Sequence, residues 1–335
     1  MTIFTKKILV ILALSFLSFL PTIALSQTID SYKDSLRTVI TPPNPQANQT
    51  ISIHLESSLI DLSLSTITWS VDGKVILKGK DRRVLETKLK EIGKETNILI
   101  SVNSPLYGSF DKEITINPTS ISLIYEANTY TPPFYKGKAL PSSESVVTLL
   151  ALPRFIKNNG TPISSKDLIF TWKKEGVVDG ANSGLGKDTY VFITGRLPED
   201  TPLIEVSALF PEESLRGYSS ILLPSFNPEI IVYENNPILG VILNKAMSND
   251  NLLSGKEMSL VAYPYFFSGK NRESINFEYA WYINNEKVAD IPQNQSGLTI
   301  RSPEGSGTSA LRVSLSNIRK IFQVASTNLL VKYGE

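Results

Sequence analysis

Ile67-Thr68-Trp69 is the first of three related triplets; the others are Phe170-Thr171-Trp172 and Tyr279-Ala280-Trp281. They contain the only three tryptophans of the 335-residue chain, which lie 103 and 109 residues apart. A polar, turn-like stretch follows each one, as in Ser70-Val71-Asp72-Gly73-Lys74. One tryptophan in every hundred or so residues is typical of tandem β-sandwiches that each bury one. We therefore assign Trp69, Trp172 and Trp281 to the structural cores of three successive repeats.

The second and third repeats share further motifs. Tyr125-Glu126-Ala127-Asn128 corresponds to Tyr233-Glu234-Asn235-Asn236, and an Ala-x-Pro-x-Phe motif occurs at Ala151–Phe155 and at Ala262–Phe266. Asn-Pro stands before both copies, at Asn117-Pro118 and Asn227-Pro228. Proline favours an extended neighbour and donates no backbone hydrogen bond, which suits a domain junction. The first repeat keeps only the tryptophan and is a more distant copy.

Strand-like alternation of apolar residues dominates the chain, and no long amphipathic helix is present. An alternating segment follows each tryptophan by about 30 residues, as at Ile98, Ile100 and Val102, and we expect it to lie across the core from the tryptophan. Leu85, Leu89 and Ile92 have helical spacing and predict a helical turn. The predicted fold is all-β, with three tandem immunoglobulin-like β-sandwiches. Because the linkers are short, we expect an extended, semi-rigid rod.

The first residues have the pattern of an export signal. Lys6 and Lys7 precede an apolar run from Ile8 to Leu20, and Ala24-Leu25-Ser26 favours cleavage before Gln27. The run is short for a membrane span, although a retained N-terminal anchor is the alternative. We therefore expect an exported protein, extracellular or in the cell envelope. The predicted division is a signal peptide at 1–26 and immunoglobulin-like domains at 27–117, 118–227 and 228–335.

The composition argues against several classes of function. The 33 basic and 32 acidic residues nearly cancel, which argues against nucleic acid as a partner. With no cysteine and one histidine, the chain lacks the residues for common nucleophilic catalysis or a zinc site. Alternation places His54 on the outside of a strand whose inward residues are Ile51, Ile53 and Leu55. We predict no enzyme activity, no catalytic residue, no cofactor and no metal; a hydrolase using two carboxylates is a remote alternative.

Two sets of residues are candidate binding sites. Aromatic side chains near the repeat junctions could stack on sugars or on proline-rich peptides, or could instead pack between domains; they are Tyr130, Phe134, Tyr135, Tyr265 and Phe267. Oxygen ligands just past each junction would suit calcium, although the usual calcium-loop pattern is absent; they are Glu126, Asn128, Glu234 and Asn236. We favour the interpretation that these polar residues shape turns, with calcium as the alternative.

The tryptophan with its following turn resembles bacterial immunoglobulin-like and PKD-type domains of exported proteins. A longer segment, from Tyr125 to Pro141, is similar to uncharacterised exported proteins of candidate-phyla bacteria. This resemblance implies an envelope or secreted location and no particular activity.

We therefore predict a non-catalytic scaffold, spacer or adhesion module of the cell surface, whose partner is a protein or a surface polysaccharide outside the cytoplasm. A carbohydrate- or peptide-binding module that uses the aromatic loops is the alternative. Contact with a membrane is expected only through an uncleaved N-terminal segment.

Overall fold

A computed structural model describes residues 34–197, 200–248, 251–253 and 255–334. The predicted signal peptide and Gln27 lie outside this range. The described residues form two compact units. One contains the residues up to Ser120 together with Pro153–Ser164 and Leu209–Tyr218; the other contains Ile121–Leu152, Ser165–Ala208 and the described part of Ser219–Glu335. Among these residues, no helix has the length and apolar character that a bilayer span requires.

Seven strands form the first sandwich. They are β1 (Leu36–Thr41), β2 (Thr50–Ser57), β3 (Thr66–Val71), β4 (Lys74–Lys80), β5 (Val84–Lys88), β6 (Thr96–Ser104) and β7 (Gly108–Ile116). One sheet has the order β1-β2-β5 and the other β4-β3-β6-β7. Ile51, Ile53 and Leu55 are at most 1% exposed, whereas the His54 side chain is half exposed. This alternation along β2 is the one predicted from the sequence.

The predicted helical turn at Leu85, Leu89 and Ile92 is wrong. Leu85 lies in strand β5, opposite Ile53 on β2, and Leu89 follows the end of that strand. Both leucines are 2% exposed and belong to the first core. A spacing of four residues repeats on one face of a strand as well as on one face of a helix, so the pattern did not distinguish them.

The strand that follows each tryptophan by about 30 residues is not across the core, as expected, but adjacent in the same sheet. Trp69 lies opposite Ile100 on the neighbouring strand β6. In the two later sandwiches, the tryptophan strand is likewise adjacent to the strand that follows about 30 residues later, Leu203–Phe210 and Gly307–Asn317. The three tryptophans are 0%, 0% and 1% exposed.

The second sandwich has strands β8 (Ser120–Ala127), β9 (Val146–Arg154), β10 (Ile169–Lys174), β11 (Val177–Val178), β12 (Gly184–Leu185), β13 (Thr189–Ile193), β14 (Leu203–Phe210) and β15 (Leu215–Leu222). Its sheets have the orders β13-β9-β8 and β11-β10-β14-β15, and β12 pairs with β10. Trp172 on β10 stacks on Tyr190 of β13, with ring centroids 5.3 Å apart. The tryptophan therefore contacts the opposite sheet through an aromatic ring. Two 3-10 turns, Ser165–Asp167 and Pro211–Glu213, are the helical elements here.

The third sandwich has strands β16 (Glu229–Asn236), β17 (Gly240–Ala246), β18 (Asn251–Leu253), β19 (Glu257–Tyr265), β20 (Phe277–Ile283), β21 (Glu286–Lys287), β22 (Gly297–Arg301), β23 (Gly307–Asn317) and β24 (Lys320–Tyr333). Its sheets have the orders β17-β16-β19-β22 and β18-β24-β23-β20-β21. Trp281 on β20 lies opposite Val313 on β23.

All three sandwiches repeat one arrangement. One sheet of each sandwich contains three neighbouring strands, in the order β1-β2-β5, β8-β9-β13 or β16-β19-β22. In the other sheet, the tryptophan strand (β3, β10 or β20) has β4, β11 or β21 on one side and a pair of consecutive strands (β6-β7, β14-β15 or β23-β24) on the other. Apart from the parallel pair β18-β24, the strand pairs are antiparallel, and two such sheets over a tryptophan-containing core define an immunoglobulin-like sandwich. The predicted all-β class is therefore confirmed. The domain boundaries remain predictions.

Candidate functional site

An aromatic cluster covers the outer face of the third sandwich, within the second compact unit. Residues of β16 and β19 form its base, and residues of the 128–145 loop pack on them. We call this set the junction cluster; its members are Tyr233, Val261, Tyr263, Tyr265 and Phe266, with Phe134, Tyr135 and Leu140 from the loop. Strand alternation explains the base, because Leu260 and Ala262 point into the core while Val261, Tyr263 and Tyr265 point outward.

The loop rings meet the sheet rings edge to face. Phe134 contacts Tyr233 and Tyr263 with centroid distances of 5.7 and 5.2 Å. Tyr135 contacts Tyr265 and Phe266 at 5.5 and 6.0 Å. Perpendicular rings at these distances place the positive edge of one ring on the negative face of another. The cluster therefore fixes the loop by specific ring geometry as well as by apolar burial.

Most of the ring surface predicted to bind a ligand is used in this packing. Tyr265 is 6% exposed, and Phe267, at 0%, belongs to the core of the third sandwich. Tyr130, Phe134 and Tyr135 are half-buried. A stacking platform needs an open ring face, which Tyr265 and Phe267 do not have. The structure thus brings four of the five residues near the junction and places Phe267 behind it.

Backbone hydrogen bonds join the loop to the end of β19. The Tyr130 amide donates to the Phe267 carbonyl at 2.7 Å, and the Phe266 amide donates to the Tyr130 carbonyl at 2.8 Å. The Ser142 hydroxyl donates to the Phe266 carbonyl at 2.7 Å. Phe266 itself has φ +63°, a conformation that is costly for a bulky residue. The loop contacts on both sides of its backbone stabilise that conformation.

A buried glutamine joins the loop to the hairpin of β23 and β24. The Gln323 side-chain amide donates to the Ser143 carbonyl at 2.7 Å and to the hydroxyls of Ser268 and Ser142 at 2.8 and 3.1 Å. Its carbonyl accepts from the Ser268 amide at 2.8 Å and from the Asn317 side chain at 3.1 Å. Gln323 is 0% exposed. We call these five residues the Gln323 network; sequence reasoning missed it, because an isolated glutamine in an alternating strand predicts a solvent-facing position.

The loop between β19 and β20 borders the junction cluster. Arg272 donates from Nη1 to the Tyr263 hydroxyl at 2.7 Å, and its guanidinium lies 5.0 Å from the Tyr263 ring centroid. The Tyr279 hydroxyl donates to the Arg272 carbonyl at 2.6 Å. A polar cleft of about 480 Å³ opens beside this loop and includes Arg272 and Glu273. This cleft was also missed, since its residues come from four separate segments.

Two tyrosines near the junction predict a loss of stability at alkaline pH. Burial holds the pKa of Tyr265 well above its ordinary range, assisted by the Tyr233 hydroxyl 3.3 Å away, and burial does the same for Tyr279. Unfolded tyrosines titrate near pH 10 while these stay protonated to higher pH, so the stabilisation is complete below about pH 10. Above it, we expect stability to fall by up to about 1.4 kcal/mol per pH unit for each tyrosine.

Urea midpoints at pH 9, 10 and 11 measure this loss. Tyr265→Phe should make the decline shallower, because one of the two titrating groups is removed. Midpoints of the parent chain that stay constant from pH 9 to 11 would contradict the prediction.

The residues considered for metals have other contacts. The Asn236 side-chain oxygen accepts from the amides of Ile238 and Leu239 at 2.9 and 3.0 Å, which is a turn-shaping role. His54 lies 4.0 Å from Glu56 on an exposed strand face. Within the described ranges, no group of three or more His, Cys, Asp or Glu side chains could hold a metal ion. Calcium binding by Glu126, Asn128, Glu234 and Asn236 remains an untested alternative to the prediction of no metal.

No protein-family model and no curated protein matches the chain. Among solved structures, the three N-terminal domains of the Highly Immunogenic Outer Capsid protein of bacteriophage RB49 are 13% identical, over 90% of this chain and 98% of that one, with a TM-score of 0.25. The central fibronectin-III array of RIM-binding protein is 11% identical, over 88% and 95%, with a TM-score of 0.28.

A third structure is SGBP-B of the Bacteroides ovatus mixed-linkage glucan utilization locus, in complex with a mixed-linkage heptasaccharide. It is 13% identical, over 89% of this chain and 70% of that one, with a TM-score of 0.21. Likenesses with such low TM-scores carry nothing about function. The fold described above follows from this chain's own strand order.

Proposed function

We propose that this chain is a non-catalytic, exported repeat protein that acts as a scaffold, spacer or adhesion module of the cell envelope. The strongest support is that the polar and aromatic side chains around the junction cluster pack against, or hydrogen-bond to, other parts of the protein. The rings of Phe134 and Tyr135 and the side chain of Gln323 are all engaged in contacts inside the second compact unit. These contacts favour a stiff connection over a free binding surface.

Two independent kinds of contact hold the 128–145 loop. The junction cluster removes apolar surface from water, which is favourable by about 25 cal/mol for each Å² buried. The Gln323 network satisfies buried polar groups that would otherwise lack partners. A scaffold or spacer has to transmit position from one end to the other, and a loop held in both ways restricts hinge motion at this point.

The lack of cysteine allows a direct test of stiffness, since engineered cysteines can be spin-labelled without background. Val177 and Lys287, on the corresponding edge strands β11 and β21, are exposed and suit a label pair after Val177→Cys and Lys287→Cys. We expect pulsed electron–electron double resonance to give one narrow distribution of distances between the two spin labels. Adding Phe134→Ala and Tyr135→Ala should at least double its width.

Ile238→Ala in the same labelled chain is the matched control. It removes a large apolar side chain that is 90% exposed and lies outside the junction cluster, so the width should not change. A broad distribution in the parent chain, or no broadening after loss of both rings, would contradict a stiff junction. Cross-linking on intact cells with mass spectrometry would then identify the partner protein or polysaccharide carrier.

A further inference from the structure

We propose that the polar cleft beside Arg272 is a binding site for a neutral glycan, which goes beyond the scaffold role and does not depend on it. The cleft has a volume of about 480 Å³, within the range of sites that hold small molecules. We call it the Gly297 cleft. Its polar side chains are those of Asn235, Arg272, Glu273, Asn294, Gln295 and Ser296.

A missing side chain opens this cleft. Gly297 lies opposite Val261, which points outward into the junction cluster, while the next pair, Leu260 and Leu298, points into the core. Directly opposed residues project from the same face, so a side chain at 297 would enter the cleft. A Cβ at this position would meet only the Leu260 carbonyl, at 3.6 Å. A longer side chain is therefore compatible with the strand and would occupy the space.

Hydrogen bonds within the protein hold the side chains that line the Gly297 cleft. The Ser296 hydroxyl donates to Glu273 Oε1 at 3.0 Å, and the Asn294 side chain donates to the Glu273 carbonyl at 3.3 Å. Arg272 is fixed by Tyr263 on the other side. Groups that are positioned before binding lose less conformational entropy when a ligand arrives.

The same walls keep unused hydrogen-bonding capacity. A guanidinium has five N–H donors, and Arg272 directs one to Tyr263 and one toward Glu273. In the part of the chain that the structure describes, Glu273 Oε2 and the Asn235 side chain have no hydrogen-bond partner. Donors and acceptors therefore remain side by side in one cleft.

The charge pattern selects a neutral ligand. Arg272 Nε lies 3.4 Å from Glu273 Oε1, so the two charges largely cancel. A free anion would meet the carboxylate and a free cation the guanidinium, and each would be opposed by a like charge. Hydroxyl groups both donate and accept, and adjacent hydroxyls match the mixed amide, carboxylate and guanidinium groups. A stretch of neutral sugar chain has this chemistry, whereas a lipid or an apolar peptide does not.

Isothermal titration of the full chain tests the proposal, with cellohexaose, chitohexaose and mannohexaose as neutral probes and hexagalacturonate as the anionic probe. We expect one or more neutral probes to bind and the anionic probe not to bind. Gly297→Gln should weaken that binding at least tenfold because its side chain fills the cleft. Asn235→Ala should weaken it about threefold or more.

Gly180→Gln is the matched control, since Gly180 also has open space around its Cβ and lies in the second sandwich. It should bind the neutral probe like the parent chain. Absence of binding to all three neutral probes, binding unaffected by Gly297→Gln, or preference for hexagalacturonate would overturn the proposal. None of these outcomes changes the distance distribution that tests the scaffold role, so the two failures are distinguishable.

Discussion

Gln323→Leu is expected to lower the free energy of unfolding by about 3 kcal/mol, because leucine keeps the volume and removes every hydrogen bond that the Gln323 side chain makes. The Ser143 carbonyl and the Ser268 amide both lose a partner that leucine cannot replace. Each buried polar group left without a partner costs about 1–3 kcal/mol. Ser142 and Asn317 keep their other bonds, to the carbonyls of Phe266 and Ser268, which limits the loss.

Urea denaturation measures this change, and hydrogen exchange with mass spectrometry locates it. The loss of protection should concentrate in the 128–145 loop and around Ser268. Gln293→Leu is the matched control because Gln293 is exposed and its side chain, among the described residues, bonds only to Glu278, so its effect should stay within about 0.5 kcal/mol. Equal effects of the two substitutions would mean that the network contributes nothing specific.

Trp69→Ala is expected to cost about 3–5 kcal/mol within the first sandwich, since it removes a fully buried indole and leaves a cavity. The surrounding core contains Ile53, Leu85 and Ile100, all at most 2% exposed. Because the chain has more than one compact unit, a single global transition is not assumed. Hydrogen exchange should show the loss in β2, β3 and β6. Protection in those strands that equals the parent chain's would contradict a core role for Trp69.

A phenylalanine series separates the indole's packing from its hydrogen bond. Trp69 Nε1 donates to the Arg82 carbonyl at 2.7 Å, whereas Trp281 Nε1 is buried and has no partner among the described residues. Trp→Phe removes a satisfied donor at 69 and an unsatisfied one at 281. Trp281→Phe should therefore be less costly than Trp69→Phe by about 1–2 kcal/mol.

Local sequence patterns contained most of the information about the sandwiches. Ile51, Ile53 and Leu55 alternate with polar residues, so their strand and its inward face follow from spacing alone. Leu85 and Leu89 show where this reasoning fails, because their spacing fits both a helix and a strand. Which strands become neighbours is a long-range property, and for that reason the segment after each tryptophan was placed across the core instead of beside it.

The candidate site was less predictable for a physical reason. The Ala-x-Pro-x-Phe motif aligns Phe155 with Phe266, yet Phe266 points outward and Phe267 enters the core. The left-handed conformation of Phe266 shifts the inward–outward alternation by one residue, and no local sequence pattern predicts this shift. The buried position of Gln323 is equally hard to predict from sequence, because its partners Ser142 and Ser143 are about 180 residues away.

That long separation has a consequence for the order in which the protein assembles. Ser142 leaves the ribosome 181 residues before Gln323. Until β24 has been made, the 128–145 loop lacks the Gln323 side chain, and until β16 and β19 have been made, its rings have no sheet to cover. Vectorial synthesis therefore leaves an aromatic loop exposed for the time needed to produce the third sandwich.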